Sequence, residues 1–595
     1  MFLSLRRIQW RRWNDSVLKK FKQLSLLKRI SLTAIFILSA FYFLASFFTS
    51  SFISESEKCL NERLLEWTIL EKTYAVAISR NNFGFTGNGF IGMGGDGELR
   101  LKATLSRVLS VRSAFFPFIT AKILDSEFSE SFVTDFRDGT IIAIRCYHIN
   151  DQCICTTQRI YAHRRRPHLL IQEFRASNPS TSDIEIKLMF TVSKLWNHIK
   201  RDSVADPLYT RYFESDGAHT LAAITCNEVP ETVTVGQGHD IFIRFLCLIS
   251  YVSPLQKNKD EELKVLEESI VKELALCKMM EGNILYREHS TAWKRLNIVT
   301  FGISKSLAPN ALNAAEINST RHMLLSNTRD PLLEIGFDKE RKKAASSSLN
   351  KMQMCYTGHS TLLVPSRLWK RSSNMNDMIE TMDIWLLTLE KRGCGELLKI
   401  GASGLAEAFV LSLLASKFSN EHLEVNIDLA DLQREIVVND IAYSPNTRIS
   451  ISILLNDGNR PYFMISSNSQ VFACNAACLN SPVAVGPTNV HIPVKITVPA
   501  TPILYISHNK NHLEQLRGTI HVVELADAPA HEHGLIALHK HGHRLGGLPA
   551  LFWLMLGALV TVFHLFLFKL LYSEWKKGDT TPYNYYSRQR YFRSH

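Results

Sequence analysis

Five histidines lie close together near the C-terminal end of the chain, and they are the side chains whose spacing most directly suggests chemistry. They are His531, His533, His539, His541 and His543, with Glu532 among them. Imidazoles this close in sequence can bind zinc or copper, or can gain charge as a compartment acidifies. The alternative interpretation is a polar linker, because the sequence indicates no scaffold that would hold the rings in position.

A further histidine, His564, lies within an apolar run that follows this group. Burying an imidazole among lipid chains is costly unless it is hydrogen-bonded. We therefore expect either a polar partner, such as Thr561 or a second helix, or a position near the lipid head groups.

Eleven cysteines lie between two long apolar runs of the chain. An oxidising compartment would allow them to form disulfides, and the odd number leaves at least one free or paired between chains. The pairing cannot be deduced from sequence, but Cys474 and Cys478 could close a turn in Cys-Asn-Ala-Ala-Cys. A metal site at these two residues is disfavoured because no second cysteine pair lies nearby.

Two further motifs concern glycans. Asn318-Ser-Thr is a usable N-glycosylation site, whereas Asn178-Pro-Ser is blocked by its proline, so Asn318 is the predicted glycosylated residue. The run Arg164-Arg-Arg166 could face an anionic glycan, or it could be a solvated strand end.

The two apolar runs, Ile30–Ile53 and Leu548–Phe568, contain no charged residue and are each long enough to cross a bilayer as a helix. Nine basic residues and one acidic residue precede the first run, and six basic and two acidic residues follow the second. Basic flanks remain cytoplasmic, so both termini are predicted in the cytoplasm and residues 54–546 in the lumen of the secretory pathway, with the endoplasmic reticulum or Golgi as the expected membrane. A cleaved signal peptide is the alternative for the first run.

These flanks account for the whole net charge of +12. The lumenal part is therefore close to neutral, and the basic balance indicates contact with the inner leaflet of a membrane rather than with nucleic acid. No nucleic-acid partner and no cofactor are predicted.

Periodicity divides the lumenal part into three zones and predicts an α+β multidomain membrane protein. Short alternating strands precede about residue 253, an amphipathic helix carries Leu263, Leu266, Ile270 and Leu274, and alternation returns from about residue 423. The predicted segments are a cytoplasmic basic arm (1–29), a transmembrane helix (30–53), a β-sandwich (54–256), a helical region (257–420) with a loop at 328–377, a small β domain (421–530), a histidine-rich linker (531–546), a transmembrane helix (547–572) and a cytoplasmic tail (573–595).

Five motifs in this order resemble glycoside hydrolase family 65, the maltose, trehalose and kojibiose phosphorylases. They are Gly87-Asn-Gly-Phe-Ile-Gly92, the stretch from Arg159 to Leu170, His289-Ser-Thr-Ala-Trp293, Tyr356-Thr-Gly-His359, and the stretch from Leu398 to Leu405 that leads into Leu423–Leu429. The resemblance implies a β-sandwich, a helical barrel and a small β domain.

Departures from this pattern argue against the family's activity. The family continues Tyr-x-Gly-His into Phe-Trp-Asp-Thr-Glu, which binds the sugar, whereas here Ser360-Thr-Leu-Leu-Val follows. The interval between His359 and Ser403 is too short for the rest of a twelve-helix barrel, so the barrel with its catalytic acid is expected to be truncated. Glycosidases need two carboxylates roughly 5 to 10 Å apart, and no such pair can be nominated.

Nearly the whole chain is similar to a family of animal membrane proteins described only as a domain of unknown function. The similarity is carried by Leu389–Cys394, Pro502–Ser507, Gly547–Trp553 and Phe563–Leu570. It implies a membrane topology but no activity.

These observations favour a non-enzymatic, membrane-anchored lumenal protein that binds glycans or glycoproteins in the early secretory pathway. One alternative is a glycan-processing enzyme with relocated carboxylates, among Asp96, Glu98, Asp135 and Asp138. Another is an accessory subunit that assembles with other membrane proteins through its two apolar segments and His564.

Overall fold

The computed structural model describes residues 54–80, 84–124, 126–201, 204–215, 217–255, 258–349, 355–362, 367–370, 374–419, 421–428, 433–543 and 550–578. Residues 30–53, the first predicted transmembrane helix, lie outside this part of the chain, as do both predicted cytoplasmic segments apart from residues 573–578.

An antiparallel nine-stranded sheet forms the centre of the N-terminal part, in the order β1-β7-β8-β9-β10-β16-β14-β13-β12. Two smaller sheets, β15-β11-β6 and β2-β3-β4-β5, pack on one of its faces to complete the predicted sandwich. Its strands are β1 Val76–Ser79, β2 Thr86–Gly87, β3 Ile91–Met93, β4 Leu99–Leu101, β5 Val111–Arg112, β6 Thr120–Ile123, β7 Phe128–Asp135, β8 Thr140–Ile149, β9 Gln152–Ala162, β10 Leu169–Ser177, β11 Ile184–Met189, β12 Asn197–Arg201, β13 Val204–Ser215, β14 Ala218–Cys226, β15 Thr232–Val235 and β16 Asp240–Val252.

Helices cover the other face of the large sheet. The first, α1 (Glu55–Lys72), begins at the N-cap Ser54 and packs Leu60 and Leu64 against β8. A disulfide between Cys59 and Cys153 ties it to β9. The sequence analysis did not anticipate this helix within the predicted sandwich, because its polar residues hide the short apolar stripe that it buries.

The predicted amphipathic helix is present as α2 (Lys259–Met279), which packs Leu266, Ile270 and Leu274 on the same face of the sheet. The helical region continues with α3 Gly282–Leu296, α4 Ala314–Ser326, α5 Lys339–Leu349, α6 Met375–Leu389, α7 Gly395–Ile400 and α8 Ala402–Leu413. Helix α5 lies within residues 328–377, which were predicted as a loop. Only Ala345 of this helix is buried, so it lacks the apolar periodicity that identifies a helix from sequence.

The C-terminal β part contains two five-stranded sheets, β17-β20-β21-β22-β25 and β18-β19-β27-β23-β24, and the pair β26-β28. Its strands are β17 Thr300–Ile303, β18 Ser416–Ser419, β19 His422–Val425, β20 Ile436–Ser444, β21 Thr447–Leu455, β22 Pro461–Ser467, β23 Val471–Asn475, β24 Val483–Val485, β25 Val490–Pro493, β26 Lys495–Val498, β27 Leu504–Ser507 and β28 Glu524–Asp527, with helix α9 Lys510–Thr519. Strand β17 comes from the helical region, and Trp385 and Phe409 share one core with Ile436 and Ile451. The helical region and the β part are therefore packed as one unit.

Two helices end the described chain. Helix α10 (His533–His541) lies within the predicted histidine-rich linker, and α11 (Ala550–Gly578) follows it. Residues Leu551–Lys576 of α11 are long and apolar enough to cross a membrane, with a mean hydropathy of 2.3. Of the two membrane helices expected from sequence, one is thus present in the described residues.

Candidate functional site

An open groove of about 900 Å³ lies on the helix-covered face of the nine-stranded sheet. Residues Arg63, Glu66 and Trp67 of α1 form one wall, and the first turn of α3 with Arg287 forms the other. The floor consists of side chains from β8, β9, β10 and β16. The groove exists because α1 and α3 cover different parts of the sheet and leave a strip of strand surface between them.

The floor is unusually polar for the middle of a sheet. Arg159 of β9 lies directly across from Glu173 of β10, and their side chains form an ion pair at 3.3 Å. Glu173 is buried, and its other oxygen accepts a hydrogen bond from the Tyr161 hydroxyl at 3.0 Å. Burial and the neighbouring Glu173 carboxylate raise the pKa of Tyr161, so this hydroxyl stays protonated and remains a donor.

Aromatic rings add apolar surface to these charges. The Arg175 guanidinium lies 5.0 Å from the ring centroid of its cross-strand neighbour Phe242, which is 43% exposed. Arg159 lies 4.4 Å from the ring centroid of Tyr286, whose hydroxyl donates to Asp138. Stacking fixes the planes of both guanidinium groups, so their donors have a defined direction.

The far wall supplies backbone groups. Helix α3 begins at Gly282, and its N-cap residue Glu281 makes no side-chain capping hydrogen bond. The preceding turn is fixed by Arg244, which donates to the carbonyl oxygen of Met280 at 2.8 Å. Since the first amides of a helix lack partners within the helix, Gly282 and Asn283 bring backbone donors to the groove.

The groove is balanced in charge. Its lining contains four arginines (Arg63, Arg159, Arg175 and Arg287) and four acidic residues (Glu66, Glu173, Asp240 and Glu281). Alternating donors and acceptors beside the exposed ring of Phe242 suit a neutral, hydroxyl-rich ligand better than a strongly charged one. Both oxygens of the buried Glu173 already accept hydrogen bonds, so this carboxylate orients its neighbours instead of standing free for proton transfer.

A smaller cavity of about 360 Å³ lies where the sandwich meets the helical region. Most polar groups around it are bonded within the chain, but the buried Arg321 Nε and His322 Nδ1 have no hydrogen-bond partner among the described residues. The Trp293 indole donates to the Phe136 carbonyl at 3.0 Å, and Arg321 donates to the carbonyls of Leu296 and Val299 at 2.6 and 2.9 Å. The cavity is smaller than the groove, and these two nitrogens are the groups that it leaves unbonded.

The arginine run is part of the same junction. Arg164 is fully buried, and it donates to the carbonyls of Leu325 at 2.9 Å and Thr328 at 2.7 Å, while Arg166 pairs with Glu288 at 3.0 Å. Both interpretations drawn from sequence are wrong for these two residues, because they hold α3 and α4 against the sandwich. They do not face a glycan, and Arg164 is not solvated.

Histidines of the junction are also structural. His289 is hydrogen-bonded to the Arg164 amide and to the Asp138 carbonyl, and His163 to the Leu285 carbonyl. Burial lowers the pKa of both rings to about 3, so they are neutral at physiological pH. Asn88, whose amide donates to the carbonyls of His163 and Pro167, completes the junction. The motifs around Asn88, Arg164 and His289 thus mark an interface between two parts of the fold.

The four carboxylates considered as relocated catalytic groups are each engaged within the chain. Asp96 pairs with Arg100, Glu98 with Arg112 at 2.7 Å, and Asp135 with Arg137 at 2.5 Å. Asp138 accepts from Thr140 at 3.0 Å and from Tyr286. None of the four lines the groove.

The histidines near the C-terminus have separate partners. His539 is hydrogen-bonded to Ser306 at 2.8 Å, and His533 to Asn459 at 3.0 Å. The rings of His541 and His543 are 6.2 Å apart, and His531 donates its backbone amide to Asn459. Within the described ranges, no group of three or more histidine, cysteine or acidic side chains is arranged to hold a metal ion. The structure therefore gives the metal interpretation no support, and the pH-sensing one stays a prediction.

His564 satisfies one ring nitrogen within its own helix, 2.8 Å from the Val560 carbonyl. Thr561, named as one example of a polar partner, instead donates its hydroxyl to the Gly557 carbonyl, and the position of His564 relative to the head groups stays a prediction. Side chains that follow the helical backbone can bond to the residue four positions earlier without a second helix.

Asn318 lies within α4, where its side-chain amide donates to the Tyr74 carbonyl at 3.1 Å. Its glycosylation stays a prediction.

Cys474 and Cys478 form a disulfide, as do Cys146 and Cys155, Cys226 and Cys247, and Cys355 and Cys394. Cys277, buried on α2, is the free thiol that the odd number requires.

Residues 12–594 match the family described as "Uncharacterized conserved protein (DUF2152)". The chain belongs to this family. Its relatives include the "Uncharacterized protein KIAA2013 homolog" of Xenopus tropicalis, 30% identical over 467 residues and 75% of each chain. The homolog of Xenopus laevis is 29% identical over 556 residues, which is 89% of this chain and 90% of the relative. The membership expected from sequence is confirmed.

Among solved structures, a "Putative kojibiose phosphorylase from human microbiome" aligns with 61% of this chain and 61% of its own length, at 10% identity and a TM-score of 0.34. The resemblance to these phosphorylases is thus present but weak, and it carries no argument about activity.

The groove was not predicted from the sequence. Its residues come from α1, four strands and the start of α3, which are far apart in sequence. One signal was available: Arg159, Glu173 and Arg175 are charged residues within strands whose neighbours are apolar. Charged side chains at such positions either form a paired surface or line a site.

Proposed function

We propose that this protein is a membrane-anchored, non-catalytic binder of neutral glycans, carried on glycoproteins in the lumen of the secretory pathway. The groove between α1 and α3 is the observation that supports the proposal. It combines the exposed ring of Phe242 and the half-buried ring of Trp67 with paired donors and acceptors and no net charge, which is the chemistry that sugars require.

Two other features support the proposed anchor and compartment. Helix α11 is long and apolar enough to span a bilayer. Five disulfides favour an oxidising compartment, since thiols in the cytosol are kept reduced.

The engagement of the carboxylates within the chain supports the proposed lack of catalysis. Sugar hydrolysis needs one carboxyl group to donate a proton and a second to act as base or nucleophile. Glu173, the buried acid of the groove, is held by Tyr161 and Arg159. Glycan binding without turnover is the expected behaviour.

The test uses the full chain in non-ionic detergent, applied to an array of neutral, sialylated and phosphorylated glycans. We expect saturable capture of neutral glycans and no change in their mass. Phe242→Ala removes a ring from the groove, and its matched control is Phe116→Ala, which removes a ring of similar exposure elsewhere (39% against 43%).

Loss of capture in Phe242→Ala but not in Phe116→Ala would support the groove. Equal capture by both variants, or preference for charged glycans, would contradict it. A mass change in the captured sugar would revive the glycan-processing alternative.

A further inference from the structure

Two further cavities, which adjoin each other, lie away from the groove between α3, α5 and α8. One has a volume of about 260 Å³ and the other about 130 Å³. They adjoin, because Arg295, Leu332 and Leu333 line both. Together they exceed the lower size limit of small-molecule sites, about 300 Å³.

The larger cavity is mainly apolar. Leu296, Val299 and Leu333 are buried residues in its wall, and Leu349 of α5 adds a further apolar side chain. Two of its polar groups are already committed: the Ser403 hydroxyl donates to Asp330 at 2.5 Å, and Arg448 pairs with Glu407 at 3.2 Å. What remains for an occupant is hydrocarbon surface and, at the side shared with the smaller cavity, the Arg295 guanidinium.

The smaller cavity is basic. Arg165, Arg295 and Lys342 line it, and no acidic residue does. Glu288 attracts Arg165 at a distance, but the hydrogen bonds to its carboxylate come from Arg166. None of these three cations forms an ion pair with a carboxylate in the described part of the chain. Arg165 and Lys342 are half-buried and Arg295 is exposed, so water screens their mutual repulsion in part, and an anion among them would be attracted by all three.

We propose that these adjoining cavities bind an anionic amphiphile, with its carboxylate or phosphate head among Arg165, Arg295 and Lys342 and its apolar chain against Leu296, Leu333 and Leu349. A free fatty acid and a single-chain lipid phosphate both have this chemistry. The site is separate from the glycan groove, where four arginines face four acidic residues. A neutral sugar would gain little binding free energy here, because the apolar wall of the larger cavity would leave its hydroxyls without hydrogen-bond partners.

Photoreactive probes test the site in the full chain in non-ionic detergent. Three probes share one sixteen-carbon chain that bears a diazirine, and their heads are a carboxylate, a phosphate monoester and a neutral hydroxyl. Cross-linked peptides are mapped by mass spectrometry. We expect the anionic probes to label the segments that contain Leu296–Val299 and Leu332–Leu333 saturably, and the alcohol to label them weakly.

The double variant Arg295→Ala/Lys342→Ala should reduce the labelling of these segments at least about tenfold, because each hydrogen bond to a charged group is strong. The matched control is Lys343→Ala, which removes an exposed lysine from the same helix outside the cavities. Labelling by only one anionic probe would identify the source of the ligand. Equal labelling by the alcohol, or no loss in the double variant, would overturn the proposal.

Discussion

Glu407 of α8 should make the stability of this protein fall as the pH rises through neutrality. Its carboxyl group is fully buried, accepts a hydrogen bond from the Ala442 amide at 3.3 Å and pairs with Arg448 of β21 at 3.2 Å. Arg321 of α4 also attracts it. Burial outweighs these contacts and raises the pKa from its usual value of 4.5 to about 7.

The sign and size of the effect follow from linkage between protonation and folding. Between pH 4.5 and 7 the folded protein holds a proton on Glu407 that the unfolded chain has lost. The contribution of this residue to stability is therefore complete below pH 4.5 and is lost as the pH rises through 7. At about 1.4 kcal/mol for each pH unit, the loss is about 3 kcal/mol.

The perturbation is Glu407→Gln, because glutamine resembles the protonated acid and does not titrate. Urea unfolding is followed between pH 5 and 8 by tryptophan fluorescence. Of the nine tryptophans, Trp293 and Trp385 report on the core that α8 helps to form. We expect the stability of Glu407→Gln relative to the native chain to increase by about 2.5 kcal/mol over this range, with most of the change below pH 7. The control Glu396→Gln alters an exposed carboxylate in the adjacent helix α7 and should show no such trend. A pH-independent difference for Glu407→Gln would refute the reasoning.

Two further predictions concern the junction and the cysteines. Arg164→Met keeps much of the side-chain volume but leaves the carbonyls of Leu325 and Thr328 without their donor, so we expect a loss of about 3 kcal/mol in urea unfolding, and little change for Arg175→Met at the exposed end of β10. Retained stability in Arg164→Met would contradict the structural role of this residue. Alkylation of the unreduced, denatured chain should modify one peptide, that of Cys277, because the other ten cysteines are paired. Peptide mass spectrometry checks this result, and a second modified cysteine would disprove the pairing.

Local patterns were sufficient for much of the fold. The leucines of α2 repeat at helical spacing and pack on the sheet as expected, and the alternating residues of β21 form a strand. Helix α5 could not be predicted in this way, because it buries only Ala345. Helix α1 and strand β17 were missed for a related reason: each depends on contacts with residues far along the chain.

The candidate sites were less accessible from sequence. The histidines from His531 to His543 are close in sequence, yet helix α10 directs them to separate partners such as Ser306 and Asn459. The motifs around Asn88 and His289 were read as traces of a sugar enzyme, and in the structure they hold two parts of the fold together. Chemically suggestive spacing does not reveal whether a buried polar group serves a ligand or the chain itself.

The sequence by itself determined the family, the strand-rich and helical zones, and an apolar segment of membrane length near the C-terminus, because these depend on composition and on periodicity over short distances. Only the tertiary structure decided which polar residues are available to a ligand. Arg164 and Arg165 are adjacent in sequence, but Arg164 donates its hydrogen bonds to backbone carbonyls, whereas Arg165 lines a cavity. The physical reason is that availability depends on whether the fold supplies a partner, and partners such as Thr328 lie far along the chain.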